Sequence, residues 1–354
     1  MHPSALTRRA LLLTLASPAL APRPAWSQPA ALTALRDLAR REGIAQASFA
    51  VLQGGRVQRT GLLAGRPGDA ESAVFQAASL SKPVVAYAAL RLVQQRRLAL
   101  DAPVARFLPK GYTHRGNPLA LGEAAITDWV APERLQALTL RQLLNHSSGL
   151  PAWSAGPWAL DFEPGRRWQY SGEGYTLVQR LIETVSGQPL DAFLARELFE
   201  PLGMASSSFV WRDALAARVA GGRTADGSPR QLRFNEPLAG ASLYTTAPDY
   251  ARFMAALHAD AEALRLTLAD PITASTEPPL RWGLGWGLEQ ASTGPVLWQW
   301  GNNPGYRALA MLAPATGDGF VLLSASERGL ALATPLAQWL LPGEHPALRS
   351  PLLG

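Results

Sequence analysis

The chain has 354 residues, 47% hydrophobic and 17% charged, which is enough apolar material for a full core and too little charge for a disordered chain. Its formal charge of +6 comes from scattered arginines with no basic stripe, interleaved aromatics or nucleic-acid reader motif, so it reads as a solvated surface rather than a nucleic-acid interface. Cysteine is absent, which excludes disulfides, thiolate metal sites, cysteine nucleophiles and a lipidated N-terminal cysteine.

At the N-terminus, Thr7-Arg8-Arg9 and the largely apolar run 10–21 have the form of a bacterial export signal, and the arginine pair points to the twin-arginine route. Pro18, Pro22 and Pro24 would break a buried helix here, and the run is too short to anchor in a bilayer. An export signal over 1–27 is expected, cut after Ala19-Leu20-Ala21 or near Ala25-Trp26-Ser27, with a mature protein that is periplasmic or secreted and not stably inserted in a membrane.

Residues 31–42 carry the spacing of an amphipathic helix, and 46–63 reads as two strands turning at Gly54-Gly55. Over 82–98, Val84, Val85, Ala88, Leu92 and Val93 keep helical spacing, and Pro83 is tolerated only in a first turn, so this helix starts close to Ser79. The stretch 100–235 is loop-rich with short helices, the clearest at 175–185, closed by Gly187, and at 190–199, closed by Pro201. Strands are expected at 283–288, 296–300, 307–312 and 319–323, followed by a helix at 330–341. Strands from both chain ends can then form one sheet, from 28–98 and 236–346, around a mainly helical insertion at 99–235, with a tail at 347–354.

Only two of the 33 cationic residues, Lys82 and Lys110, are lysines, so arginine serves wherever a plain positive charge suffices and a lysine invites a chemical explanation. Ser79-Leu80-Ser81-Lys82 is an S-x-x-K tetrad at a predicted helix start, and positions i and i+3 of a helix lie on one face about 5–6 Å apart. A partly desolvated lysine can become neutral enough to take a serine proton, whereas arginine stays charged. The plain alternative is a helix cap by Ser79 with Lys82 on the surface.

Further motifs follow at suitable distances: Leu143-Leu144-Asn145-His146-Ser147-Ser148-Gly149-Leu150, Tyr170-Ser171-Gly172, Pro201-Leu202-Gly203-Met204, and Ser242-Leu243-Tyr244-Thr245-Thr246 with Asp249. With the tetrad, they make the chain resemble the serine beta-lactamase, penicillin-binding protein and related esterase superfamily, most of all its class C-like branch. The resemblance implies an α/β (α+β) beta-lactamase/transpeptidase-like fold, an antiparallel sheet flanked by helices with a mainly helical region. It also implies a serine hydrolase that acylates Ser79 with an ester, amide or beta-lactam substrate and needs no cofactor. In it, Lys82 and Tyr170 would be catalytic, with Tyr170 a proton shuttle whose pKa is lowered by positive charge, and the backbone N–H groups of Ser79 and Asn302 would form the oxyanion hole.

Gly172, Gln299, Trp300 and Gly301 would line the substrate site, and two of them depart from the family pattern. Gln299-Trp300-Gly301 stands where Lys-Thr-Gly or His-x-Gly is usual, and Gly172 where an asparagine is expected to bind an acyl amide and orient the lysine. These losses weaken the case for lactam or peptide cleavage relative to an ester or small amide. They also leave open a non-catalytic or slowly acylated penicillin-binding sensor on the same fold. Apart from the resemblance, no serine sits in G-x-S-x-G, and the five histidines show no metal-ligand spacing. His146 is read as a structural residue of its loop rather than a base.

Overall fold

In the computed structural model, residues 29–116 and 127–353 are described; the export signal expected over 1–27 lies outside them. Eight antiparallel strands form the main sheet, in the order Arg56–Ala64, Ala47–Gln53, Asp318–Ser324, Tyr306–Ala313, Gly294–Asn303, Gly287–Ala291, Pro279–Trp282 and Ile272–Thr276. The N-terminal hairpin thus joins the C-terminal strands through Ala47–Gln53, which pairs with Asp318–Ser324.

The central strands are apolar at nearly every position because both sheet faces are covered. Phe49, Leu309, Met311, Phe320 and Leu322 face one core, closed by the helices Pro29–Arg41 and Ala333–Leu340. Ala50, Leu52, Ala308, Ala310, Leu312, Val321 and Leu323 face a larger one, built around the helix Ser81–Gln94. That helix is buried on all sides over its first ten residues, Ser81 to Leu90, as expected for an element crossing the middle of a domain. Leu143, Tyr175 and Phe209 of the helical stretch belong to the same core as Leu297 and Leu312 of the sheet, so the two regions share one interior.

Several elements differ from their sequence expectation. The helix from Ser81 stops at Gln94 instead of reaching 98, because Arg96 takes a left-handed conformation (φ 58). Of the expected strand 283–288, only 287–288 are strand, at the start of Gly287–Ala291; 283–286 form the turn that joins it to Pro279–Trp282. Gly285 (φ 91) makes the turn, and a side chain there would meet Ala86 Cβ at 2.3 Å. The hairpin Tyr112–Arg115 with Thr127–Val130 lies in the stretch read as loop-rich with short helices, and Ile272–Thr276, at the sheet edge, is a strand where no element is expected. The helix Glu173–Ser186 ends at Gly187 (φ 71) as expected.

Candidate active site

Ser79 lies on the turn between the short strand Phe75–Ala78 and the helix Ser81–Gln94, and Ala78 adopts φ 51 to make that turn. The Lys82 N–H bonds the Ser79 carbonyl at 3.0 Å, so the first helical turn carries Lys82 round to the serine side chain. Lys82 Nζ is 3.1 Å from Ser79 Oγ and donates to the Gly240 carbonyl at 2.8 Å.

The Lys82 side chain is 1% exposed and faces the rings of Tyr170, Tyr175 and Trp153, with centroids 4.7, 5.6 and 5.9 Å from Nζ. Burial lowers its pKa from 10.5 to about 7, so near neutral pH much of it is a neutral amine beside the serine hydroxyl. Such an amine can accept the serine proton.

Tyr170 accepts a hydrogen bond from Gln299 and lies beside Ser79, whose hydroxyl also favours the phenolate. Burial pushes its phenol well above the ordinary value, outweighing the opposing effect of those two groups. The expectation of a phenol acidified by positive charge is therefore reversed: Lys82 carries the lowered pKa, and Tyr170 stays protonated. Gln299 Nε2 donates to Tyr170 Oη at 3.0 Å and to the Trp300 carbonyl at 2.8 Å. The tyrosine oxygen thus accepts from the amide, and its own hydrogen remains to be donated.

Trp300 is 7% exposed, packs at a tilt against Tyr170 (4.8 Å between centroids) and stacks on Trp298 (5.6 Å), so it supports the tyrosine instead of lining open space. Gln299 is fully buried and reaches the serine only through Tyr170. Gly301 is required by close approach: a Cβ there would lie 2.4 Å from the Ala77 carbonyl oxygen. This contact brings the strand Gly294–Asn303, and with it Asn302, against the Ser79 turn. Asn303 Nδ2 fastens it further, to Gln76 Oε1 and the Ala241 carbonyl, both at 3.1 Å.

His146 is buried beside Tyr170, 4.5 Å between ring centroids, and its Nδ1 accepts the Ser171 N–H at 3.1 Å. Burial, then the charge of Lys82, hold its pKa well below 6.5, so the ring is neutral and braces the loop.

Gly172 does not face open space. A Cβ there would meet Trp153 Cη2 and Cζ2 at 2.5 Å and the Ala152 carbonyl at 2.6 Å, so the indole fills the volume an asparagine would need. The other task expected of that asparagine, orienting the lysine, falls to the Gly240 carbonyl. Sequence reasoning missed Trp153, Gly240 and Asn303; the one signal for Trp153 was the glycine at 172, which implies that something else fills the space. Among the described residues, no group of acidic, histidine or cysteine side chains could hold a metal ion.

The beta-lactamase family model matches residues 32–342. The chain belongs to the beta-lactamase family. Family relatives are serine hydrolases, and this chain is one of them. It is 30% identical over 289 residues to esterase EstB of Burkholderia gladioli, covering 63% of this chain and 68% of that one. It is 27% identical to a lovastatin esterase of Penicillium rubens, covering 53% of this chain and 55% of that one, a little over half of that relative's length. A crystal structure of D-alanine carboxypeptidase AmpC from Burkholderia cenocepacia superposes with a TM-score of 0.72 at 17% identity, covering 89% and 99% of the two chains, which supports the fold.

Proposed function

We propose that the protein is a serine esterase or small-amide hydrolase of this family, with Ser79 as nucleophile, Lys82 as its base and Tyr170 as proton donor. The observation that carries the reading is the buried contact between Lys82 Nζ and Ser79 Oγ, 3.1 Å, with a lysine pKa of about 7. In acylation, neutral Lys82 takes the Ser79 proton as Oγ attacks the substrate carbonyl. The backbone N–H groups of Ser79 and Asn302 receive the developing oxyanion. As the carbonyl–oxygen bond breaks, the leaving alkoxide takes a proton through the Tyr170 hydroxyl, which returns Lys82 to its neutral form. Water then replaces the alcohol, and the same groups run the step in reverse to release the acid.

Preference for an ester over a lactam or peptide is supported by the indole that stands in place of the amide-binding asparagine. The test is turnover of a p-nitrophenyl ester, a chromogenic cephalosporin and a D-Ala-D-Ala peptide, each beside Ser79→Ala. Ester turnover that vanishes in the variant is expected. Stoichiometric labelling without turnover of any substrate would instead mark a slowly acylated binding protein.

A further inference from the structure

Trp153 sits in a clasp. Its loop is joined to the segment after Tyr170 by three successive hydrogen bonds: Ser171 Oγ to the Pro151 carbonyl (2.9 Å), Gly172 N–H to the Ala152 carbonyl (2.8 Å), and Ser154 N–H to Glu173 Oε1 (2.9 Å). Glu173 is itself fixed from behind, its other oxygen 3.1 Å from His114 Nε2, while His114 Nδ1 meets Asp128 at 2.7 Å. The indole is wedged between two glycines. A Cβ on Gly172 would lie 2.5 Å from it and one on Gly240 3.1 Å, so both positions have given up side chains to the ring.

Behind, the indole packs on the apolar cluster of Leu215, Leu232, Phe234, Leu238, Ala241 and Tyr244, and the residue as a whole is only half-buried. Its centroid is 5.9 Å from Lys82 Nζ, which is 3.1 Å from Ser79 Oγ, so the ring is one side chain removed from the nucleophile. The lysine is already committed to Ser79 and the Gly240 carbonyl, the Gln299 Nε2 to Tyr170 and the Trp300 carbonyl, and the Gln299 Oε1 is buried away from the open face of the ring. A rigid aromatic wall beside committed polar groups favours a carbon chain and leaves a substrate amide unpaired.

We infer that Trp153 determines acyl-side specificity, selecting substrates whose acyl chain is apolar and has no amide next to the scissile carbonyl. The inference rests on the serine hydrolase reading above and narrows its substrate class. Its test compares two esters with the same leaving group and nearly the same acyl length, p-nitrophenyl pentanoate and p-nitrophenyl N-acetylglycinate. Each kcat/KM is divided by the ester's hydroxide-catalysed rate, with Ser79→Ala as control and thermal melts to report the folding of every variant.

Wild type is expected to favour pentanoate tenfold or more. Trp153→Ala should lower that ratio about threefold to tenfold, and Trp153→Gln, which offers an amide in place of the ring, should lower it at least as far. A wild-type ratio near one overturns the inference, as does an unchanged ratio in folded Trp153→Ala. The hydrolase reading fails separately, and this inference with it, if wild type releases nitrophenolate from neither ester in a Ser79-dependent way.

Discussion

At the scale of single residues, the account turns on where one proton sits. Arginine could not replace Lys82, because only a group that loses its charge on burial can serve as base. Since Lys82 must be neutral to act and its pKa is about 7, kcat/KM should rise about tenfold per pH unit below that value and level off above it. The same shift has a cost in stability. Unfolded, the lysine holds its proton up to about 10.5; folded, it loses it near 7, so its penalty is full below pH 7 and fades as pH rises between the two values. Lys82→Met should therefore stabilise the protein at pH 7 by about 3 kcal/mol, after allowing for the Gly240 carbonyl left without its donor, and the gain should shrink toward pH 10. Denaturant unfolding of both proteins at several pH values checks the sign; a gain that grows with pH would contradict it.

At the scale of elements, the site is assembled where a strand, a turn and a loop approach one another closely, and glycines set the distances. Gly301 lets the strand Gly294–Asn303 touch the Ala77 carbonyl, Gly285 lets its turn reach Ala86, and Gly172 and Gly240 admit the indole. Gly301→Ala places a methyl group 2.4 Å from a backbone oxygen, so the strand must retreat from Ser79. A drop in kcat of about 10²-fold or more is expected, with circular dichroism close to wild type, because a displacement near 1 Å is enough to misplace oxyanion donors. Near-wild-type kcat would show that the strand does not position the site.

At the scale of the whole molecule, what could be read from the sequence follows from how local its cause was. Ser79 and Lys82 are three residues apart on one helical turn, and their pairing is visible from spacing alone. The strands Tyr306–Ala313 and Asp318–Ser324 could be read because burial on both faces makes them apolar throughout. Ile272–Thr276, half-exposed at a sheet edge, carries no such pattern. The hold of Gly240 on Lys82 spans 158 residues, and the indole beside Gly172 reflects the packing of two loops; neither leaves a periodic trace. The direction of the Tyr170 shift was misread for the same reason: the motif supplied the neighbouring charge, but only the fold supplied the burial that outweighs it.

The most direct test of the central claim is intact-protein mass after brief exposure to a p-nitrophenyl ester, followed by peptide mapping of the adduct. The account predicts one acyl group on Ser79, absent from Ser79→Ala and strongly reduced in Lys82→Arg. An acyl group on any other residue, or equal labelling of the Ser79→Ala protein, would contradict it.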